Sequence, residues 1–407
     1  MIYDYLVVGG GISGLNTALK LKEKYPDARV HIVERNKRLG GRVYTENIDG
    51  HNFDAGAGRF SNTHKRLLKI IKSCDLESKI YKLSNDVDYV ITKKYKNVKF
   101  DNPNEIINEL IKDSKKTKLD LRQLTFKEYC EHVFNSETAR FLENSFPYYS
   151  EISIINAEEA VRAFEYDLDY SKKFYILLGG LSQIIQCLVQ RCKKIGVKFT
   201  LGFEVTDCRK NGETFVLNDK IKCRKLLVSA LMGSFLKTSF FNPIRTQLNS
   251  VICKPLYRIY FVYPKSKNTG EVWFKTIKRT ITDSRIKYVI PINYDMGSIM
   301  ISYTDGPNAK YWQSNSSDDE KLVKMLHSEI HKLFPDIDGD IPYPTIIRKY
   351  YWSTGACYYK KKSDPNELKK IMVNPMENVY FLGDTFSNHQ AWMEGALESS
   401  ENVLKIL

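Results

Sequence analysis

Gly9, Gly11 and Gly14 stand in Gly-x-Gly-x-x-Gly spacing directly after the apolar run Tyr3 to Val8, and Glu34 follows twenty residues after Gly14. Each part of this spacing answers a need of a bound dinucleotide: a tight turn, close approach of backbone to a pyrophosphate, and close packing of helix on strand. Ile12 and Ser13, between the glycines, open the helix whose N-terminal amides would face the phosphates. A carboxylate at Glu34 can accept hydrogen bonds from ribose hydroxyls and repels a 2′-phosphate, which disfavours NADP. At the far end of the chain Gly383-Asp384 follows the strand-like Val379 to Leu382 and runs into Ala391-Trp392-Met393-Glu394-Gly395-Ala396. If both ends serve one cofactor, the chain must fold back so that its termini build one site.

The elements that must position these residues are legible around them. Asp4 to Val8 reads as a buried parallel strand, a helix runs from the glycines to Lys24 and stops at Pro26, and a second strand spans Ala28 to Val33. Leu178-Gly179-Gly180-Leu181 begins an amphipathic helix through about Ile195, followed by strand-like Val197 to Thr200, then Phe203-Glu204-Val205 and Lys225 to Ala230. Residues 67–174 read as mostly helical, as in Leu67 to Cys74, Pro103 to Asp113 and Ser136 to Asn144. Residues 233–344 mix strands at Leu256 to Tyr263, Lys287 to Pro291 and Ser298 to Tyr303 with an amphipathic helix from Asp318 to Phe334.

After Glu34 come Arg35, Arg38-Leu39-Gly40-Gly41-Arg42 and Asp54-Ala55-Gly56-Ala57-Gly58-Arg59-Phe60, and with the C-terminal Gly383-Asp384 and Trp392-Met393-Glu394-Gly395 these resemble the flavin-dependent amine oxidase superfamily. The resemblance implies FAD as the cofactor, held by Gly9, Gly11, Ile12, Ser13, Gly14, Glu34 and Arg35, by the Gly40-Gly41-Arg42 loop, and by Gly56, Ala57, Gly58 and Arg59. At the C-terminal end it implies Gly383, Asp384, Ala391, Trp392 and Met393, with Asp384 standing where glutamate is usual. Val205 falls where the family touches the adenine region; the plain alternative is an ordinary strand residue. The implied architecture is α/β: a discontinuous Rossmann-type FAD-binding domain (1–66, 175–232 and 345–407) with an inserted mixed α+β substrate domain. That insert comprises a helical part (67–174) and a mixed part (233–344).

On the substrate side, Gly56 to Phe60 resembles the segment of L-amino-acid oxidases and tryptophan monooxygenases in which an arginine clamps the substrate carboxylate. A guanidinium suits that task because its fork binds both oxygens at once. Arg59 is the candidate, against the alternative of a pair with a carboxylate of the fold or an FAD phosphate. Ala391 and Trp392 occupy the position of one wall beside the flavin, with Trp352 or Tyr358 as the second wall. Gly355-Ala356-Cys357-Tyr358 resembles the monoamine oxidase stretch whose cysteine is bonded to the flavin, so a covalent link through Cys357 stands as the alternative to non-covalent FAD. Arg258 aligns where the family carries the lysine that holds a water at the flavin, with Lys254 displaced from it. Arginine keeps the charge but not the compact volume or the proton, which puts fast reaction with dioxygen in doubt.

The resemblance implies oxidation of the CH–NH2 group of an amino acid or amine to an imine, with dioxygen as acceptor giving hydrogen peroxide. Arg59 and Trp392 favour an amino acid with an apolar or aromatic side chain. A desaturase, a UDP-galactopyranose mutase-like flavoprotein and a flavin-binding protein without turnover are the alternatives. Composition bounds the rest. The 407 residues, 43% hydrophobic, suffice for a large core, and no apolar run approaches the roughly 20 residues that span a bilayer, so a soluble cytoplasmic protein is expected. The net charge of +14 is scattered rather than gathered into a basic stripe interleaved with aromatics, which argues against nucleic acid. The eight cysteines contain no CxxC pair, so no metal site is expected and most are read as buried free thiols. His389, close to Trp392 in sequence, could contact substrate or serve a structural hydrogen bond.

Overall fold

The computed structural model describes residues 1–84, 86–167, 172–230, 233, 235–337 and 340–407. Strand Ile2–Val8 lies inside a seven-stranded sheet, parallel to Ile221–Val228 on one side and to Val30–Glu34 on the other. Lys198–Leu201 continues the sheet beyond Val30–Glu34, and Val379–Phe381 pairs in parallel with Ile221–Val228. A hairpin of Cys208–Asn211 and Thr214–Leu217 adds antiparallel strands. Parallel strands must be covered on both faces. Val7, Ile32 and Leu227 accordingly pack with Leu15, Leu188 and Leu397 of helices Ile12–Lys24, Ser182–Lys194 and Met393–Leu404, while Leu6, Val33, Leu226 and Phe381 pack on the other face with Phe215 and Phe241.

The two ends of the chain meet as the paired motifs require. The Asn16 amide donates to Ser400 Oγ at 3.0 Å, Thr17 and Ser400 share a hydroxyl contact of 2.6 Å, and the Tyr25 hydroxyl donates to the Leu407 carbonyl at 2.7 Å. The first and last helices thus pack side by side, both N-termini facing the same way over one sheet.

A second, six-stranded sheet runs in the order Ile346–Tyr359, Val251–Val262, Ser298–Asp305, Tyr288–Asn293, Thr280–Thr282, Asp88–Val90. It differs from the sequence expectation at both edges. Residues 346–359, expected with the FAD-binding part, pair along Val251–Val262 from Val251↔Tyr359 to Val262↔Ile346 and so belong to the substrate sheet. At the other edge Asp88–Val90, from the segment read as mostly helical, pairs in parallel with Thr280–Thr282. Neither partner is near in sequence, so local pattern cannot assign them. The same segment supplies strand Ile80–Lys82, paired antiparallel with Phe174–Leu177, and helices Pro103–Ser114, Phe126–Val133, Ser136–Ser145 and Ala157–Asp167 around a core that also takes in Ala356 and Tyr358 of the long strand.

The cysteine reading is corrected. Cys74 bonds Cys187, tying the end of helix Lys65–Ser73 to helix Ser182–Lys194, and Cys253 bonds Cys357, its facing residue on the paired strands. Only Cys130, Cys192, Cys208 and Cys223 are free, all buried, and burial pushes the first three up to about 12. Pairs more than 100 residues apart leave no spacing signature in the sequence. Among the described residues no helix is long and apolar enough to cross a membrane.

Candidate active site

A cavity of about 590 Å³ is lined from both sheets. At one end lie Gly9, Gly11, Ile12 and Ser13 with Glu34 and Arg35. A Cβ on Gly11 would meet nothing within 4 Å, so that backbone faces open space of the kind a pyrophosphate needs. The helix it caps has no side-chain cap, which leaves its first amides unsatisfied by the protein's own side chains. Ser13 Oγ lies 2.8 Å from Oγ of Ser229, a cavity residue the sequence reading did not pick out. Gly14 does not line the cavity: its Cβ would stand 2.2 Å from the Gly9 carbonyl, so its role is the close packing of helix on turn. The buried Glu34 carboxylate accepts from the Gly10 amide at 2.8 Å and from the Asn36 amide at 2.9 Å, which fixes it in the cavity wall. Val205 also lines the cavity, but from the connection after Lys198–Leu201 rather than from a strand.

Gly40, Gly41 and Arg42 continue the wall. The Arg42 guanidinium pairs with the Asp384 carboxylate and donates to the Gly355 carbonyl at 2.9 Å, joining three distant segments at one point. Asp384 Oδ2 also accepts from the Ala391 amide at 3.0 Å, which holds Ala391 in the left-handed region at φ 65°. The shorter side chain of Asp384 is therefore used on Arg42 and Ala391. Gly383, Ala391, Trp392 and Met393 line the cavity, and helix Met393–Leu404 likewise begins without a side-chain cap. Glu394 points elsewhere, accepting from the amides of Arg66 and Leu67 and so capping helix Lys65–Ser73.

Gly56, Ala57, Gly58 and Arg59 line the cavity as expected. The Arg59 guanidinium lies 4.5 Å from the Phe174 ring centre and 5.7 Å from that of Trp392. Trp392 is stacked near Phe174 at 6.1 Å and takes the edge of buried His64 at 4.9 Å. Trp352 and Tyr358 both line the cavity but sit in different surroundings. The Trp352 indole donates to the Ala55 carbonyl at 2.7 Å with Arg38 over its ring, whereas the Tyr358 hydroxyl is 3.5 Å from Glu151. Arg258 lines the cavity, donates to the Asp54 carbonyl at 2.8 Å and lies over Tyr303 at 4.3 Å. Burial opposes its charge, and Tyr303, Tyr260 and Asp54 outweigh it and raise its pKa. Lys254 is not part of the lining.

Two residues that the sequence left open lie outside the lining. Cys357 is fully buried and does not line the cavity; alternation along the strand turns Ala356 and Tyr358 inward and Cys357 away, toward Cys253. His389 is not a lining residue either: it packs 4.7 Å from the Tyr166 ring, and burial lowers its pKa. The reading from sequence missed Tyr148, Glu151, Tyr303 and Asp305, which line the substrate end. The aromatic run around Tyr148-Tyr149-Ser150-Glu151 was its only local trace.

A dinucleotide-binding sheet and an inserted substrate sheet sharing one cavity define a redox protein of the nucleotide-cofactor class. The chain belongs to the flavin-containing amine oxidoreductase family, whose family model matches residues 12–403. It is 23% identical to the flavin-containing amine oxidase A of Equus caballus, over 99% of this chain and 84% of that protein. A Bacillus subtilis protein provisionally named an L-amino-acid oxidase is 24% identical over 98% of this chain and 93% of its own length. Among solved structures, a putrescine oxidase bound to putrescine matches with a TM-score of 0.77 at 15% identity, over 100% of this chain and 99% of that one. The fold is that of this family, and the open, uncapped helix N-termini at Gly11 and Trp392 fit the flavin cofactor the family carries.

Proposed function

We propose that this protein is an FAD-dependent oxidase that converts the CH–NH2 group of an amino acid or amine to an imine. The observation that carries the amino-acid reading is Arg59, a guanidinium in the cavity wall beside Trp392 and Phe174. When bound, FAD supplies the hydride acceptor and the route by which dioxygen takes up the electrons as hydrogen peroxide. The chain's own residues bind, orient and exclude water. Gly11 and the helix amides behind it would hold the pyrophosphate, Glu34 the ribose, and Gly41, Arg42 and Met393 the flavin end. Arg59 would hold the substrate carboxylate in a bidentate pair. Trp392 and Tyr358, apolar surfaces on opposite segments of the chain, would confine the amine in its neutral form. Tyr358 is preferred to Trp352 for the second wall because it stands among Tyr148, Tyr303 and Glu151, away from the Ala55 and Arg38 contacts that occupy Trp352.

Attachment of FAD is non-covalent in this reading, since Cys357 faces away from the cavity. Residence in the cytoplasm remains part of it, with the two disulfides as the observation that bears against it. The deciding experiment is anaerobic mixing of the purified yellow protein with a panel of amino acids and amines. Bleaching by an amino acid supports the proposal; persistent colour with every member rejects it. Acid precipitation should leave the yellow colour in the supernatant.

A further inference from the structure

Asp305, Arg279 and Arg258 line the substrate end of the cavity and are each held by hydrogen bonds. Asp305 accepts the amides of Tyr149 at 2.7 Å and Ser150 at 2.9 Å. Arg279 donates to the Tyr288 hydroxyl at 2.6 Å and to the Ser84 carbonyl at 2.7 Å, and Arg258 is held by Asp54. Glu151 belongs to the same end of the cavity. It sits on the short helix Tyr149–Ser153 that Asp305 anchors, and it lines the cavity beside the Tyr358 hydroxyl.

Tyr148, Tyr303 and Tyr358 line the cavity together with this carboxylate, and the Tyr148 and Tyr303 rings meet with centres 5.4 Å apart. Burial pushes the phenols of Tyr148 and Tyr358 well above their ordinary range, and the Glu151 charge adds to the rise in both. At Tyr148 the Arg59 charge works in the opposite direction, so this one ring lies within electrostatic reach of a carboxylate and of a guanidinium. A carboxylate among phenol rings is complementary to an ammonium, which gains from the ion pair and from the ring faces. A guanidinium near the same ring is complementary to a carboxylate.

We infer that Glu151 and Tyr358 set specificity by binding the distal ammonium of a diamino acid, whose carboxylate is held by Arg59 and whose aliphatic stem lies along the aromatic wall. The inference rests on the amine oxidation proposed above and narrows the apolar or aromatic side chain expected from sequence to an aliphatic one that ends in a cation. The reacting amine is neutral between the walls, while the distal one keeps its proton against Glu151.

Anaerobic titration of the flavin-loaded enzyme with L-lysine, L-norleucine and 1,5-diaminopentane separates the two ends, because norleucine lacks the distal ammonium and the diamine lacks the carboxylate. Lysine should half-saturate bleaching at a concentration at least about tenfold below either. Glu151→Gln should cost lysine at least about tenfold more than it costs norleucine, and Arg59→Ala should bring lysine down toward the diamine. Calorimetry adds a readout without turnover: 6-aminohexanoate should bind at least about tenfold more tightly than hexanoate, and Glu151→Gln should erase the difference. Norleucine equal to lysine, or equal losses for both in Glu151→Gln, overturns the assignment of Glu151. A diamine that outperforms lysine overturns the diamino-acid class. Failure of every amine to bleach the flavin rejects the proposed function instead, and the 6-aminohexanoate comparison then decides Glu151 by itself.

Discussion

Arg59 is the residue on which the substrate reading turns. A buried, charge-assisted pair typically costs about 2–5 kcal/mol when one partner is truncated, much of it the penalty of leaving the other charge unpaired. Arg59→Ala should therefore slow flavin reduction by an amino acid far more than reduction by the amine that lacks its carboxylate, measured as the ratio of the two rates in stopped flow. Equal losses, with flavin content intact, would move the assignment to an amine oxidase without a carboxylate clamp. Arg258 poses a separate question. Its guanidinium fills the space against Gly58, where a Cβ would lie 2.9 Å from Nη1. Lysine there is more compact and can hold a water in the freed volume. Arg258→Lys should quicken reoxidation of prereduced enzyme by dioxygen, and an unchanged rate would place the control of that step elsewhere.

At the scale of elements, the two uncapped helix N-termini at the cavity would hold the anionic cofactor of the proposed function. Helix Ile12–Lys24 is fixed by its packing on the parallel sheet and by the Ser400 contacts of the last helix, so its amides are aimed before any ligand arrives. Gly11→Val leaves the helix room to form, since nothing stands within 4 Å of the added Cβ, yet it fills the space of the pyrophosphate. The expected outcome is a folded protein with an unchanged circular dichroism spectrum that loses flavin on gel filtration. Retained flavin at one per chain would show that the cofactor enters by another surface. The long strand Ile346–Tyr359 is the matching element on the substrate side, because one run of backbone carries Trp352, the Gly355 carbonyl bound by Arg42, and Tyr358.

For the whole molecule, covalent closure and proton uptake are both measurable. Alkylation of the denatured, unreduced protein should label four of the eight cysteines, and all eight after reduction. Eight labels without reductant would reject both bonds. Closing a loop as long as that between Cys74 and Cys187 typically stabilises by about 2–5 kcal/mol, so Cys74→Ser should lower the melting temperature. Two buried histidines set an acid limit. Burial, aided by Lys172, His389 and Arg59, brings His64 down to about 3, and burial with Lys198 brings His31 down to about 4. Folded chains then keep both rings neutral where unfolded chains take up protons, so stability falls as pH drops below about 6.5 and is unaffected by these groups above it. The slope reaches at most about 1.4 kcal/mol per pH unit for each histidine. Thermal unfolding between pH 7.5 and 5 should show this loss, reduced in His31→Gln.

What the amino-acid sequence determined by itself was the cofactor end of the molecule. Glycines that permit close approach, an acid at a strand end and a Gly-Gly-Arg loop encode local backbone shapes, and local shapes are written in consecutive residues. Gly9, Gly11, Ile12, Ser13, Glu34, Arg42 and Ala391 to Met393 were legible for that reason and meet in one cavity. The substrate end was decided only by tertiary structure. Strand Ile346–Tyr359 changes sheets because its partner lies about 100 residues earlier, and the same pairing brings Cys357 to Cys253 and turns it from the cavity. Tyr148, Glu151 and Tyr303 come from elements whose own patterns speak only of burial. Their chemistry arises where a helical segment, an antiparallel sheet and the Gly58-Arg59 loop close on one another, a proximity that no spacing along the chain records.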